Sequence, residues 1–208
     1  MTEGVKRSRA RATRRKIIAA ATELFVAQGY AATKLEDVAT KAQVAVQTVY
    51  FHFNNKRTLL KEAVDVAAVG DDEPVPLLAR PFIQEVRDEP DPRAALVIWI
   101  AVSKEIFIRV APIMRVVRDA AGADEAMAEQ WAVNQSQRAT AHRELVELLA
   151  AKQALRDGMT ADRATDVVFS LLSHELFLLL TEERGWPVDE WETWITATIA
   201  DALLGRVD

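Results

Sequence analysis

Apolar residues recur every three or four positions along most of the chain, the spacing that places them on one face of an α-helix. The first run, between Thr13 and Gly29, contains Ile17, Ala20, Ala21, Leu24 and Phe25. No stretch of β-branched residues alternates with polar ones between hairpin turn signals. The pattern therefore predicts an all-α protein with about nine helices.

Residues that begin or end helices divide this pattern. Helices are predicted over about 13–29, 33–43, 46–53, 55–69, 77–87, 92–118, 124–155, 160–184 and from 187 onward. The sequence TKLE at 33–36 matches a capping box, in which Thr33 and Glu36 bond to each other's backbone N–H groups. Pro112 should kink or split its helix, and GDDEPVP at 70–76 predicts a joint between two domains.

Charge is distributed unevenly between the two ends of the chain. Residues 1–61 contain 12 Lys and Arg against 4 Asp and Glu, a formal charge of +8. Residues 62–208 contain the remaining 14 against 27, a formal charge of −13. A concentrated basic segment is the usual feature of phosphate binding, so the first segment is expected to contact nucleic acid. A solvated basic tail is the alternative for residues 6–16, but it does not explain the patterned cluster at 50–61.

The sequence argues against membrane insertion and export. Its longest apolar runs, at 167–172 and 176–180, are interrupted by Ser173, His174 and Glu175. Neither approaches the roughly 20 residues needed to cross a bilayer. The chain has no cysteine, which suits a reducing compartment. We therefore expect a cytoplasmic protein with no membrane contact.

Catalytic, metal and cofactor sites are not predicted. The three histidines, at positions 52, 142 and 174, are far apart and none pairs with a carboxylate at a ligand spacing. No nucleophile elbow, phosphate-binding loop or glycine-rich dinucleotide turn is present in the sequence. The chain is therefore not expected to be an enzyme.

The predicted helix at 46–53 has two different faces when its residues are placed at 100° intervals. Val46, Val49, Tyr50 and Phe53 lie on one side, and Gln47, Thr48, Phe51 and His52 on the other. The first group can pack on the preceding helices, whereas the second offers an amide, a hydroxyl, an aromatic ring and an imidazole to base edges or phosphates. Lys56 falls in the first turn of the next helix, where it could share a phosphate with backbone N–H groups. Taken singly, Lys56, His52 and Tyr50 would be an ordinary surface lysine, a surface histidine and a core-edge tyrosine.

Three runs in the first 60 positions carry a family resemblance. They are Ala20-x3-Leu24-Phe25-x3-Gly29-Tyr30-x2-Thr33, Val38-Ala39-x2-Ala42-x-Val44 and Thr48-x-Tyr50-x2-Phe53-x2-Lys56-x2-Leu59-Leu60. In these runs the chain resembles the TetR (tetracycline-repressor-like) family of transcriptional regulators. The segment at 178–195 is similar to the end region of some members.

The resemblance implies a three-helix helix-turn-helix domain at 1–60, with a basic arm at 1–12, and a larger helical ligand-binding and dimerisation domain at 61–208. Its partners would be a double-stranded DNA operator, a small-molecule effector and a second copy of the chain. The DNA-binding residues that it implies are Thr33, Lys34, Val46, Gln47, Thr48, Tyr50, Phe51, His52 and Lys56.

Two positions depart from the family pattern, which commonly has Gly in the turn and Ser at the start of the recognition helix. This chain has Gln43 and Ala45 there. Gln43 must then adopt a left-handed conformation or alter the turn, and Ala45 supplies no side-chain cap. We expect the motif to form nonetheless, because the packing of Val49 and Phe53 contributes more.

Two further sets of residues are predicted for the larger domain. Its effector pocket would be lined by Trp99, Ser103, Phe107, Met114, Trp131, Gln135, Phe169, His174 and Phe177, all of which could equally be ordinary core or helix residues. Its dimer interface would contain Val168, Leu171, Leu172, Leu176, Leu179, Trp191, Trp194, Ile195, Ile199 and Leu203 from the last two helices.

These patterns lead to two hypotheses of different classes. The first is a homodimeric repressor that binds a pseudo-palindromic operator and is released by a small apolar or aromatic molecule. The second is a helical ligand carrier or interaction module that has lost DNA binding, which Gln43 and Ala45 would favour. Sequence-selective binding to duplex DNA distinguishes them.

Overall fold

The computed structural model describes residues 2–70 and 75–205, with side chains described from residue 8. The predicted joint at 70–76 and the basic arm at 1–12 therefore lie partly outside the described residues. The helices are α1 (Thr2–Ala32), α2 (Leu35–Ala42), α3 (Val46–Phe53), α4 (Lys56–Val69), α5 (Pro81–Asp88), α6 (Pro92–Ala121), α7 (Glu125–Ala151), α8 (Ala161–Leu171), α9 (His174–Leu178) and α10 (Val188–Leu203). Over the described ranges the chain has no named strand, so the all-α prediction is confirmed.

The chain divides into two compact units. One contains Met1–Glu73 and Pro112–Trp131, and the other contains Pro74–Ala111 and Ala132–Asp208. The predicted domain boundary after residue 60 falls within α4 and stays a prediction. α6 continues through Pro112, so the proline does not split this helix.

The first unit is built around the buried faces of α1 and α4. Ile17, Ala21 and Phe25 of α1 are completely buried, as are Leu59 and Leu60 of α4. Their spacing of three and four residues forms one apolar stripe on each helix. Gly29 interrupts α1 with φ 80° and ψ 172°, a conformation that glycine adopts without a Cβ penalty.

The predicted capping box at Thr33 is wrong. The residue that caps α2 is Lys34, and the α2 N-terminus receives no side-chain hydrogen bond. Thr33 is buried instead and donates its hydroxyl to the Gly29 carbonyl at 2.8 Å. The break at Gly29 leaves that carbonyl open, and a buried acceptor without a partner is costly, so the Thr33 hydroxyl turns toward α1.

Gln43 adopts the left-handed conformation, one of the two alternatives that the sequence left open, with φ 56° and ψ 47°. Its N–H donates to the Thr40 carbonyl, and the Val44 N–H donates to the Ala39 carbonyl. This pair of bonds is the Schellman arrangement, which closes the end of α2. Ala45 precedes α3 without a side-chain cap, as expected. The turn therefore forms with a residue that pays a conformational cost.

The core of the second unit is aromatic at its centre. Trp191 is completely buried. The centre of its ring lies 4.9 Å from the centre of the Phe177 ring and 5.8 Å from that of the Phe107 ring. The first contact is edge to face and the second is tilted, and aromatic contacts of this kind add to the hydrophobic stabilisation of a core. Ile195, Ile199 and Leu203 extend the same buried stripe along α10.

The single helix predicted over 160–184 is divided in the structure. Leu172 leaves the helical conformation, and Ser173 caps α9 by accepting a hydrogen bond from the Leu176 N–H at 3.2 Å. After α9 the chain makes a π-helical turn over Leu179–Glu183. By length and composition alone, Ala161–Glu183 could cross a membrane, a criterion that core helices of soluble proteins also meet. The structure breaks this stretch at Ser173.

We expect Gln43→Gly to raise the free energy of unfolding by about 0.5–1 kcal/mol, because glycine removes the cost of the left-handed conformation. Urea unfolding followed by circular dichroism measures the change. Gln137→Gly is the matched control, because Gln137 is an exposed residue inside α7, where glycine should cost about 1 kcal/mol. Destabilisation by both substitutions would contradict the prediction.

Candidate nucleic-acid interface

Helix α3 separates a buried face from an exposed one. Val49 and Phe53 are buried, and the Arg14 guanidinium of α1 lies 5.6 Å from the centre of the Phe53 ring. Arg14 also forms an ion pair with Glu62 of α4. These contacts hold α3 against α1 and α4, so the side chains on the opposite face have a fixed direction.

The exposed face of α3 presents the residue types that were predicted for DNA contact. Phe51 is 85% exposed and Tyr50 47% exposed, although both are large aromatic residues. Gln47 is exposed, and Thr48 and His52 are partly exposed. The rings of Phe51 and His52 stand edge to face, with centres 5.4 Å apart. An amide can bond adenine in two places and an aromatic ring can contact a thymine methyl group.

The remaining predicted DNA-binding residues have different surroundings. Val46 is partly exposed at the first position of α3. Lys34 is exposed at the N-terminus of α2, where N–H groups and a cation can hold a phosphate together. Thr33 is buried, so of this pair only Lys34 presents its side chain to solvent.

Lys56 is bound to the end of α1 in this structure. Its ammonium Nζ lies 2.8 Å from the carbonyl oxygen of Tyr30, 3.3 Å from that of Ala31 and 3.1 Å from that of Thr33. The same nitrogen lies 4.4 Å from the centre of the Tyr30 ring. Burial lowers the pKa of Lys56, and the negative charge of Asp124 partly opposes this effect. Lys56 thus joins α4 to α1, a role that its local sequence did not indicate.

Arg57 and Asp124 form a contact that the sequence did not predict. Oδ2 of Asp124 accepts hydrogen bonds from Nη2 and Nε of Arg57 at 3.2 and 3.3 Å. Its other oxygen, Oδ1, accepts from the Met127 N–H at 3.2 Å and so caps α7. The hydrogen bond to Asp124 raises the pKa of Arg57, whereas burial, followed by the charge of Asp124, raises the pKa of Tyr30. The residues are 67 positions apart, so no local pattern could have revealed this pair.

Residues 17–63 match the family described as bacterial regulatory proteins, tetR family. This range contains the whole of α2 and α3, including the exposed face of α3. In this range the chain is similar to the TetR family. The match is confined to the helix-turn-helix part of the first unit.

Two relatives of this chain are transcriptional regulators of Pseudomonas putida. The chain is 48% identical over 52 residues to the uncharacterised regulator TtgW, covering 25% of this chain and 39% of TtgW. It is 40% identical over 83 residues to the regulator TtgR, covering 40% of this chain and 37% of TtgR. The chain thus spans less than two fifths of these relatives. Both are named as regulators and not as enzymes.

Two solved structures are similar over most of their length. NalD, the secondary repressor of the MexAB-OprM multidrug efflux pump in Pseudomonas aeruginosa, superposes with a TM-score of 0.70 at 22% identity, covering 94% of this chain and 98% of NalD. A SmeT–triclosan complex superposes with a TM-score of 0.70 at 20% identity, covering 93% of this chain and 92% of SmeT. At these identities the likeness shows the fold of the chain and nothing further.

The predicted effector-pocket residues do not form one group. Phe107, His174 and Phe177 are close together, with the Phe107 ring 4.8 Å from that of His174 and 5.7 Å from that of Phe177. Trp99 packs against Phe82 instead, and the Ser103 hydroxyl donates to the Trp99 carbonyl of its own helix. Met114 and Trp131 belong to the first unit, and Gln135 and Phe169 to the second.

Arg138 is a buried residue beside this aromatic group that the sequence did not identify. Its side chain is 9% exposed, and the guanidinium lies 4.0 Å from the centre of the Phe169 ring. Nη1 lies 3.5 Å from Oε2 of Glu175, a long ion-pair contact, and Nε has no hydrogen-bond partner in the protein. Burial lowers the pKa of Arg138, and the charge of Glu175 opposes that shift.

Two histidines near Arg138 are kept neutral. Burial, followed by the positive charge of Arg138, lowers the pKa of His142 to about 3. Burial, followed by the charges of Arg138 and His142, likewise lowers the pKa of His174 to about 3. Nδ1 of each imidazole has no hydrogen-bond partner in the protein. His142 also faces the Phe169 ring at 5.9 Å.

The predicted dimer-interface residues fall into a buried and a more exposed group. Val168, Leu172, Trp191, Ile195, Ile199 and Leu203 have no exposed surface and belong to the core of the second unit. Leu171, Leu176 and Trp194 are partly buried, and Leu179 is 42% exposed. Only the second group has surface that a partner could contact directly.

We expect Lys56→Met to lower the free energy of unfolding by about 1–3 kcal/mol, because three carbonyl groups lose a charged donor. Urea unfolding measures the loss. Lys61→Met is the matched control on the same helix, since Lys61 is exposed and pairs with Asp65 in an i,i+4 contact of 2.6 Å. The control should change stability by less than about 0.5 kcal/mol. Equal effects of the two substitutions would contradict the structural role of Lys56.

The buried histidines should make stability depend on pH. Because both pKa values are lowered on folding, the unfolded chain binds protons between about pH 6.5 and 3 while the folded chain does not. Their contribution to stability is complete above pH 6.5 and is lost as the pH falls. Between pH 7 and 5 each histidine should lower the free energy of unfolding by about 1–2 kcal/mol.

The measurement is urea unfolding of the wild type and of His142→Gln at pH 7 and pH 5. The variant should lose less stability than the wild type between the two values, because one of the two buried histidines no longer titrates. The same loss in both proteins would show that His142 does not contribute.

Proposed function

We propose that the protein is a cytoplasmic transcriptional regulator, most simply a repressor, that binds operator DNA through α3. The observation that carries this proposal is the exposed face of α3, where Gln47, Thr48 and Phe51 point outward while Val49 and Phe53 are buried. Phe51 is 85% exposed, so its apolar ring stays in contact with water unless a partner covers it. The match of residues 17–63 to bacterial regulatory proteins of the tetR family supports DNA as that partner.

In the proposed complex α3 lies in the major groove. The Gln47 amide would bond a base edge, Thr48 would bond a base or a phosphate, and Phe51 would contact a thymine methyl group. Tyr50 and His52, at the border of the face, would bond phosphate oxygens or base edges. Val46 cannot donate a hydrogen bond, so it would contribute only an apolar contact. These contacts would specify sequence.

Phosphate contacts would fix the position of α3 in the groove. Lys34 is exposed at the N-terminus of α2 and is the proposed phosphate ligand on that side. The Lys56 ammonium already donates to three carbonyl groups, so we assign it a structural role in the contact between α1 and α4. In the proposed complex this contact would hold the N-terminus of α4 toward a phosphate. Thr33 has the same kind of indirect role through Gly29.

A homodimer would place two α3 helices on a pseudo-palindromic operator. We propose that α8, α10 and the π-helical turn after α9 form its interface, through surface that includes Leu171, Trp194 and Leu179 rather than the buried stripe. A two-fold interface requires each copy to present the same surface. Half-sites would then be about one DNA turn or more apart.

The proposed signal is a small apolar or aromatic molecule that binds the second unit and releases DNA. NalD is described as a repressor of a multidrug efflux pump, and the SmeT structure is a complex with triclosan. These descriptions support regulation by a small molecule for a chain of the same fold. Within the first unit, the Arg57–Asp124 contact would couple α4, next to the DNA-binding helices, to the start of α7.

The second candidate is a helical ligand carrier or interaction module without DNA function. The strained Gln43 and the uncapped start of α3 favour it, because both weaken the turn that sets the direction of α3. It predicts no preference among DNA sequences.

The test begins with selection of duplexes from a random library by the full chain, followed by fluorescence anisotropy on the selected sequence. A regulator should select two related half-sites and bind them at least about 10³-fold more tightly than random duplex. Gln47→Ala should weaken specific binding by about 1–2 kcal/mol and leave binding to random duplex unchanged.

Gln137→Ala is the matched control for this measurement. It truncates the same side chain at an exposed position of α7 in the second unit, and should leave both affinities unchanged. Failure to select any sequence over random duplex would reject the regulator and leave the second candidate. A single half-site would reject the dimer while retaining DNA recognition.

A further inference from the structure

The second unit encloses several polar groups whose hydrogen bonds are incomplete. Arg138 Nε, His142 Nδ1 and His174 Nδ1 are buried and have no hydrogen-bond partner among the described residues. The indole Nε1 of Trp191 and Oε1 of Gln135 have none either. Buried polar groups are almost always paired, because each one left unpaired costs about 1–3 kcal/mol. So many together indicate a missing partner.

Arg138, His142 and His174 lie in one region. The Arg138 guanidinium carbon lies 4.0 Å from the centre of the Phe169 ring. The centres of the His142 and Phe169 rings are 5.9 Å apart. His174 faces the Phe107 ring at 4.8 Å, and the charges of Arg138 and His142 act on it. α7 supplies Arg138 and His142, and α9 supplies His174. The region therefore combines one cation and two neutral imidazoles with aromatic surfaces.

We propose that this region, the Arg138 site, binds an aromatic carboxylic acid, with the carboxylate on Arg138 and the ring among Phe107, Phe169 and Phe177. The proposal names the class of effector for the regulator proposed above. Only the description of the acid as an effector rests on that proposed function. Nothing in the binding argument requires DNA.

The choice of an anion follows from Arg138. Its ion pair with Glu175 is long, at 3.5 Å, and Glu175 is 37% exposed, so water can solvate that carboxylate if the contact is lost. A carboxylate ligand could accept from Arg138 Nε and a terminal nitrogen together, the bidentate arrangement that guanidinium groups favour. His142 and His174 can each supply an N–H to the same anion or to a second substituent, because a neutral imidazole has one donor nitrogen.

The choice of an aromatic body follows from the surrounding rings. Phe107, Phe177 and Trp191 contact one another at 4.9–5.8 Å, in tilted or edge-to-face arrangements. A planar ring can extend such a cluster, whereas a flexible chain would lose more conformational freedom on binding. Nε1 of Trp191, a member of this cluster, is an additional buried donor.

The backbone around His174 provides a way for the ligand to enter. His174, Glu175 and Phe177 lie on α9, a five-residue helix. The capped break at Ser173 precedes it, and the π-helical turn over Leu179–Glu183 follows it. π-helical turns occur frequently at functional sites. A short segment with breaks at both ends can shift as a unit, and its displacement would separate Glu175 from Arg138.

The test is isothermal titration calorimetry of the full chain with 2-naphthoate and with 2-naphthamide, its neutral analogue of nearly the same shape. We expect 2-naphthoate to bind with one site per chain and 2-naphthamide to bind at least about tenfold more weakly. No binding of 2-naphthoate, or equal affinities for the two compounds, would overturn the proposal. This comparison needs no substitution and so does not depend on the folding of a variant.

Arg138→Met should lower the affinity for 2-naphthoate at least about tenfold and change that for 2-naphthamide by less than about threefold. Arg163→Met is the matched control, because Arg163 is an exposed arginine on α8 of the same unit. It should leave both affinities unchanged. An unchanged affinity of Arg138→Met for 2-naphthoate, with the fold confirmed by circular dichroism, would overturn the assignment of Arg138.

DNA binding of the same preparation separates the two proposals. Selective DNA binding without binding of 2-naphthoate would reject the Arg138 site and leave the regulator. Binding of 2-naphthoate with the expected preference over the amide, without selective DNA binding, would support the Arg138 site and reject the regulator.

Discussion

The packing of Val49 and Phe53 against the preceding helices is the constraint on which the candidate interface depends. α3 has only eight residues and begins without a side-chain cap, so it would not be stable as an isolated helix. Burial of two large apolar side chains, each contributing about 1.5–3 kcal/mol, compensates for the missing cap. It also sets the rotation of α3. Because the buried face of α3 is fixed, the residues on its exposed face are fixed as well.

Polar contacts complete what this packing begins. Lys56 and Thr33 both bond carbonyl groups at the end of α1, where the break at Gly29 leaves acceptors without helical partners. The same two side chains thereby connect α1 to α4 and to the segment before α2. Thr33 and Lys56, which were expected to contact DNA, thus supply hydrogen bonds to backbone carbonyl groups next to the interface. Substitutions there affect geometry and recognition together.

Apolar periodicity was sufficient to place α2, α3 and α4, because it is a local property, although the predicted cap of α2 was wrong. For Gln43 the sequence left two conformations open, and the structure has the left-handed one. Sequence patterns failed at Ser173, where apolar periodicity continued across a break. The capping of α9 by Ser173 is a local signal, but it was outweighed by the surrounding leucines. Arg57, Asp124 and Arg138 were missed because their partners are remote in sequence or depend on burial.

Asp124 both caps α7 and pairs with Arg57, and few residue types can do both. One oxygen caps α7 and the other accepts from Arg57, so the position requires both a short side chain and a negative charge. Asparagine would preserve the cap but weaken the ion pair, and glutamate would preserve the charge but reach the cap poorly. Neither replacement is conservative here, although both would score as mild by chemical similarity. Among sequences related to this one, aspartate at this position would mark chains that share the same α4–α7 contact.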